Sequence, residues 1–319
     1  MKIVFLETDT LGKDVDLTPF DSLGEIIKYP CSDPEEDAQR IGNADVIIVN
    51  KVPMNENNLG KADQLKLICI TGTGTNIVDF PYTNSRGITV ANVKGYSTQS
   101  VVQHTFALFF YVYEKLSYYD HFVKSGEYIR SDIFSHFNIK FHELAGKTWG
   151  IIGLGEIGRG VAELAKLFGC KVIYYSTSGK NSNQAYERVE LDTLLKESDV
   201  ISIHAPLNAA TRDLIGEEEL RSMKKTAVLL NLGRGPIINE HALAKALKED
   251  WIAAAGLDVL TVEPMVASNP LIEIQDSTKL IITPHIAWAT VEARQRVTDE
   301  VYQNIVAFYQ GKERNVVRS

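Results

Sequence analysis

Cysteine is scarce in this chain of 319 residues. There are three, Cys31, Cys69 and Cys170, far apart and without a CxxC pair. An odd count at such spacing argues against a disulfide framework or a zinc site and predicts reduced thiols. Cys69 and Cys170 adjoin apolar strand-like runs and read as buried structural thiols. A basic block is also missing. Lys plus Arg number 33 against 41 Asp plus Glu, a net charge of −8. That balance argues against nucleic acid or an anionic membrane as partner and leaves room for a local pocket for a small anion. No window reaches the roughly 18 apolar residues of a membrane span. The apolar run in MKIVFLETD is too short for a signal peptide, so a cytoplasmic protein is expected. Internal repeats, low-complexity tracts and metal-ligand spacings are absent.

What the chain has is alternation. KIVFL (2–6), ADVIIVN (44–50), LKLICITG (65–72) and GITVANV (87–93) read as four strands, with polar, helix-compatible stretches such as DPEEDAQRIGN between them. Residues 97–126 read as one long helix, capped by Ser97 or Thr98 and stopped by Gly126. Its apolar residues run nearly all round, which predicts burial between domains or against another subunit. A second alternating set follows. Its strands are KTWGIIG, KVIYY, DVISIHAP, AVLLNLG, IAAAGLDV and KLIITPH, and its helices are EIGRGVAELAKLFG, LDTLLKES, GEEELRSMKKT and NEHALAKALKED. An amphipathic helix over 290–311 follows last. Two runs of strand–helix alternation predict an α/β protein with parallel sheets and crossover helices.

WGIIGLGEIGRG carries Gly153-x-Gly155-x-x-Gly158 between a strand and a helix, the context that makes this pattern specific for a dinucleotide. Gly153 permits the tight turn, Gly155 lets a pyrophosphate approach, and Gly158 packs helix against strand. Exposed N–H groups and the positive helix end then hold the phosphates. Three later stretches fall at strand ends, where open parallel sheets bind ligands. NLGRGPIINE places Arg234 in a Gly-flanked turn, GLDVLTVEP carries Asp258 and Glu263, and TPHIAWAT carries His285. Each alone has a dull explanation: a solvated arginine, a surface glutamate, a structural histidine. Together they supply an anion clamp, a carboxylate and a general acid, the set that carbonyl reduction requires.

In order and spacing, GLGEIGRG, HAPLNAATRDLI, NLGRG, GLDVLTVEP and TPHIAWAT resemble the D-isomer-specific 2-hydroxyacid dehydrogenases over nearly the whole chain. GYSTQSVVQHTFAL and HIAWATVEARQR are most similar to the glycerate dehydrogenase (hydroxypyruvate reductase) branch. The resemblance implies two Rossmann-like, doubly wound parallel-sheet domains. The dinucleotide domain, 99–289, would be inserted into a substrate domain made of 1–98 plus 290–319. It implies that Arg234 grips the substrate carboxylate and carbonyl with its planar fork. His285 would be the acid/base at the ketone oxygen, and Glu263 the carboxylate that favours its imidazolium.

The cofactor positions implied are Gly153, Gly155, Glu156, Ile157 and Gly158 at the phosphates. His204, Ala205, Pro206 and Thr211 would form a wall of the cleft, joined by Leu232 and Gly233, with Asp258 near the nicotinamide side. Thr73 and Gly74 would meet the substrate carboxylate, beside Arg234 and His285. A hydride would pass between nicotinamide C4 and substrate C2, with cleft closure excluding water. The helix over 97–126 resembles the family's dimerisation element, so a homodimer is implied, and no metal.

Several positions depart from the family pattern. Gln103 replaces a frequent glutamate, as in the glycerate dehydrogenase branch. Residues 128–144 lack the usual tryptophan-containing stretch. The chain stops at Ser319, without the regulatory domain of many phosphoglycerate dehydrogenases. Ser176 stands where an aspartate usually accepts the ribose diol and repels a 2′-phosphate. Thr177 and Ser178 add hydroxyls and Lys180 a charge. NADP, or use of both NAD and NADP, is therefore favoured over NAD alone. The expected substrate is hydroxypyruvate/D-glycerate. The alternatives are another 2-oxo acid (glyoxylate, pyruvate, branched or aromatic) or a dinucleotide-sensing binding protein.

Overall fold

The computed structural model describes residues 1–180, 182 and 185–318, which form two compact units: 1–97 with 289–319, and 98–288. In the first unit five parallel strands, β1 (Lys2–Phe5), β2 (Glu25–Lys28), β3 (Val46–Val49), β4 (Leu67–Ile70) and β5 (Thr89–Ala91), are ordered β2-β1-β3-β4-β5. Short helices α1 (Asp37–Ile41), α2 (Glu56–Leu59) and α3 (Phe80–Ser85) lie between them. β3 and β4 are buried at every position, as VIIV and LICI require of a sheet covered on both faces. Four of these strands match the apolar runs of the sequence, and β2 does not. Its EIIK is an edge strand with no residue fully buried, so it lacks the continuous apolar run of its neighbours.

The second unit begins with α4 (Thr98–Tyr113) and α5 (Leu116–Lys124), where a single helix over 97–126 was expected. The break is Lys115, a non-glycine residue in the left-handed region at φ 56°. Its ammonium donates to the Thr278 carbonyl at 3.0 Å. A tertiary anchor of this kind stops a helix that the apolar periodicity would carry straight on.

A seven-stranded parallel sheet follows, ordered β12-β11-β10-β9-β6-β7-β8. In chain order its elements are β6 (Thr148–Ile152), α6 (Glu156–Leu167), β7 (Lys171–Tyr175), β8 (Glu187–Arg188), α7 (Leu191–Glu197) and β9 (Val200–Ile203). Then come α8 (Glu217–Ser222), β10 (Val228–Asn231), α9 (Glu240–Lys248), β11 (Ala254–Leu257) and β12 (Leu280–Ile282). The two-residue strand β8 is the one that sequence reading missed. One apolar cluster packs α4 and α6 on one face, around Trp149, Phe109 and Val161. Another packs α7, α8 and α9 on the opposite face, around Leu194, Leu220 and Leu243. Helices on both faces make this a doubly wound sheet.

The last helix, α10 (Val291–Tyr309), belongs to the first unit, where Asn304 Nδ2 donates to the Asn92 carbonyl at 3.1 Å. Cys69 and Cys170 are buried, Cys31 is exposed, and none is bridged. Among the described residues no helix is long and apolar enough to cross a membrane.

Candidate active site

The order of the second sheet brings the expected residues to successive strand ends. At the β6–α6 turn Gly153 has φ +94°, and a Cβ there would lie 2.9 Å from the Ala205 backbone. A Cβ on Gly158 would lie 2.3 Å from the Gly153 carbonyl oxygen. Gly155, the N-cap of α6, has nothing among the described residues within 4 Å of where its Cβ would stand. Among the described residues no side chain caps the helix, and its first turn, with Glu156 and Ile157, leaves N–H groups without intrahelical partners. Two glycines thus close-pack the turn, while the third leaves space beside a helix N-terminus.

After β7, Ser176 is 4% exposed, and its hydroxyl has no partner among the described residues. Thr177 is half-buried, and Ser178 and Lys180 are exposed. Arg188 of β8, paired with Tyr174, reaches back to this loop: its Nη1 donates to the Gly179 carbonyl at 3.0 Å. Sequence spacing gave no sign of this arginine, because only the sheet pairing brings it to the loop.

After β9, the backbone of His204 donates to Ile152 at 2.9 Å. The residue is half-buried, yet both its ring nitrogens are buried without a partner among the described residues. Burial pushes its pKa down to about 3, so the imidazole is neutral. Ala205 is buried and Pro206 exposed. Thr211 is wholly buried. Its hydroxyl donates to the Pro206 carbonyl and accepts from the Asn208 N–H, both at 2.8 Å, and so holds the loop from inside.

After β10, the Asn231 side chain spans the turn. Its Oδ1 accepts from the Gly233 N–H and its Nδ2 donates to the Arg234 carbonyl, each at 3.0 Å. Leu232 and Gly233 are buried. Arg234 is extended, φ −145°, and its Nη1 donates to the Gly233 carbonyl at 2.8 Å. Asn231 was not singled out from the sequence; its signal was an amide ending an otherwise apolar strand.

β11 and β12 carry the remaining pair. Glu263 Oε1 accepts from the Leu260 N–H at 2.9 Å, and its Oε2 lies 2.7 Å from His285 Nδ1. Both side chains are about 30% exposed, His285 at 28% and Glu263 at 30%, so the pair faces solvent without being fully hydrated. A carboxylate at Nδ1 fixes the tautomer and leaves Nε2 for a reaction partner. His285 has φ 54°, a left-handed conformation that costs a non-glycine residue on the order of 1 kcal/mol.

Asp258, 2% exposed, has its carboxylate turned into the protein: Oδ1 accepts from Thr283 Oγ1 and the Ile286 N–H, and Oδ2 from the Ala287 N–H. Thr73 and Gly74 lie in the first unit. The Thr73 hydroxyl donates to Val93 at 2.8 Å, and its carbonyl accepts from Asn92 Nδ2 at 2.7 Å. The backbone N–H groups of Thr73 and Gly74 have no partner among the described residues.

Residues 106–287 match the model of the D-isomer specific 2-hydroxyacid dehydrogenase, NAD binding domain. The chain is 37% identical over 319 residues to the glycerate dehydrogenase of Methylorubrum extorquens, covering 100% of this chain and 99% of that one. It is 37% identical over 325 residues to the hydroxypyruvate reductase of Blautia hydrogenotrophica, covering 99% of each. The solved structure of an acyclic imino acid reductase in complex with NADPH and D-Arg superposes with a TM-score of 0.87, at 31% identity and full coverage of both chains.

Proposed function

The chain belongs to the D-isomer-specific 2-hydroxyacid dehydrogenases, oxidoreductases that act on a CH–OH group with a nicotinamide cofactor, and from that premise we propose that it reduces hydroxypyruvate to D-glycerate. The observation that carries this reading is the His285–Glu263 pair at 2.7 Å, with Arg234 at the next strand end but one in the same sheet. The names of two full-length relatives point to hydroxypyruvate over other 2-oxo acids.

Several features fit a dinucleotide: the space at Gly155, the uncapped start of α6, and the orphaned polar atoms of Ser176 and His204. Residues 153–158 would hold the phosphates, Ser176 to Ser178 the ribose end, and His204 to Pro206 with Leu232 and Gly233 the walls. When bound, the nicotinamide supplies the hydride that reaches substrate C2. Arg234 binds and orients the 2-oxo acid through two parallel donors. His285 Nε2 gives its proton to the ketone oxygen, yielding the hydroxyl. Glu263 accepts the Nδ1–H, aligns the ring and stabilises the imidazolium before transfer. The unpartnered N–H groups of Thr73 and Gly74 suit a carboxylate.

We assign NADPH, or both reduced cofactors, as the hydride donor. An acid at position 176 would repel a 2′-phosphate, and here there is a serine. Arg188 and Lys180 place two cations at the same loop. Hydroxypyruvate, glyoxylate, pyruvate and phenylpyruvate, each assayed with NADPH and NADH, test both readings. Hydroxypyruvate is expected to give the highest kcat/KM, with NADPH at least equal to NADH. Removing a charge-assisted phosphate contact is worth about tenfold, so Arg188→Ala should weaken NADPH by about that factor and leave NADH unchanged. A tenfold preference for NADH would sink the cofactor reading. Binding of cofactor without turnover of any acid would favour a dinucleotide-sensing protein.

We further propose a cytoplasmic homodimer. The unbridged thiols suit a reducing compartment. Val102, Phe106 and Phe110 of α4 line, with Leu164 and Phe168, a surface concavity of about 450 Å³. Ile129, Phe134 and Phe137, after α5, are 77% exposed or more. Apolar groups in such number suit a second subunit. Light scattering coupled to size exclusion should return twice 35.5 kDa; a monomer at micromolar concentration would refute the dimer.

A further inference from the structure

The left-handed backbone of His285 needs something to hold it, and the contacts that do so lead to α4. Three consecutive amides converge on one residue. The His285 N–H donates to the Asp258 carbonyl at 2.8 Å, and the Ile286 and Ala287 N–H groups donate to its two carboxylate oxygens at 2.9 Å each. The carboxylate is held in turn. Thr283 Oγ1 lies 2.7 Å from Asp258 Oδ1 and 3.5 Å from the Leu257 carbonyl, so its single proton goes to the nearer, charged acceptor.

The same hydroxyl lies 3.0 Å from His104 Nε2. With its proton committed, Thr283 can only accept there, so His104 carries its proton on Nε2 and donates. Burial lowers the pKa of His104, against the opposing pull of the Asp258 charge, which favours this neutral donor form. At 3.7 Å from Asp258 Oδ1, the ring is too far for a direct hydrogen bond. Ser100, one turn earlier on the same face of α4, donates to the Ala287 carbonyl. The helix therefore grips the loop of His285 at two points.

We propose that His104 and Thr283 are positioning residues for the acid/base. The chain His104 → Thr283 → Asp258 sets the direction of the Asp258 carboxylate, and that carboxylate sets the backbone on which His285 stands. The inference rests on His285 being the proton donor. A misplacement of about 1 Å at a reacting group costs on the order of a hundredfold, so loss of the chain should appear in kcat.

The test compares Thr283→Val, which keeps the shape and deletes the hydroxyl, with Thr283→Ser, which keeps the hydroxyl. His104→Leu is paired with His104→Gln, which keeps a donor. The expected result is a kcat for hydroxypyruvate lowered about 10- to 100-fold in Thr283→Val and His104→Leu. Substrate KM and the fluorescence-measured Kd of reduced cofactor should stay within threefold, and Thr283→Ser and His104→Gln should recover most of kcat. Thr283→Val at near-wild-type kcat, an equal loss in Thr283→Ser, or a matching loss of cofactor affinity would overturn the inference. His285→Ala, assayed alongside, separates the two claims. If that variant keeps turnover, the acid/base assignment fails. If it is inactive while Thr283→Val is not, only the positioning chain fails.

Discussion

Replacing His285 with alanine is expected to lower kcat for hydroxypyruvate by about three orders of magnitude, the usual contribution of a positioned general acid. That is about 4 kcal/mol of transition-state stabilisation. As hydride reaches C2, negative charge develops on the ketone oxygen, and without a donor that alkoxide must wait for water. His285 is paired with Glu263 at 2.7 Å. Alanine also leaves that partly buried carboxylate without its imidazole. The proposed cofactor contacts are the turn 153–158 and the residues after β7 and β9, so the Kd for reduced cofactor should stay within about threefold. Stopped-flow or steady-state absorbance of reduced nicotinamide reads kcat, and fluorescence titration reads Kd. Near-wild-type turnover would refute the acid/base role.

Arg234→Ala should act on recognition. A guanidinium fork on a carboxylate makes two charge-assisted hydrogen bonds of roughly 1.5–3 kcal/mol each. Their loss predicts a fall in kcat/KM of about two to four orders of magnitude, with KM raised and the Kd for cofactor little changed. Arg234→Lys keeps the charge and loses the planar fork, so it should recover only part of the loss. Asn231 and Gly233 hold the turn from both sides of Arg234. The guanidinium therefore works from a fixed backbone, and a soluble guanidinium added to the alanine variant should rescue it poorly. If KM and kcat for hydroxypyruvate both hold in Arg234→Ala, the clamp lies elsewhere.

The two predictions differ in where the loss appears, and that difference is their use. A proton donor acts in the transition state and changes kcat. A carboxylate clamp acts in ground and transition states alike and changes KM first. Variants that lose both parameters equally at both positions would point to a disturbed fold in place of two separate roles.

The reading of local patterns succeeded where one segment carries its own chemistry. The glycine spacing after an apolar strand located a turn whose Cβ positions are closed at Gly153 and Gly158 and open at Gly155. Reading failed where a distant contact overrides a local pattern. The apolar stripe over 97–126 runs on past Lys115, but a left-handed residue anchored to Thr278 divides it into two helices. β2 and β8 were missed because edge strands need no buried face.

The residues proposed for the chemistry were thus legible in the sequence itself: a strand–GxGxxG–helix, an arginine in a glycine-flanked turn, a glutamate and a histidine, in order along alternating strands and helices. Each of these motifs is local, because it is a strand end plus its turn. Tertiary structure alone decided what supports them. It brought Arg188 of β8 to the loop after β7, turned the carboxylate of Asp258 inward onto Thr283, Ile286 and Ala287 around His285, and set His104 of α4 behind Thr283. Asp258 and His104 stand 25 to 179 residues from their targets in the chain, and sheet pairing and helix packing join them. No periodicity or spacing along one dimension records such a meeting.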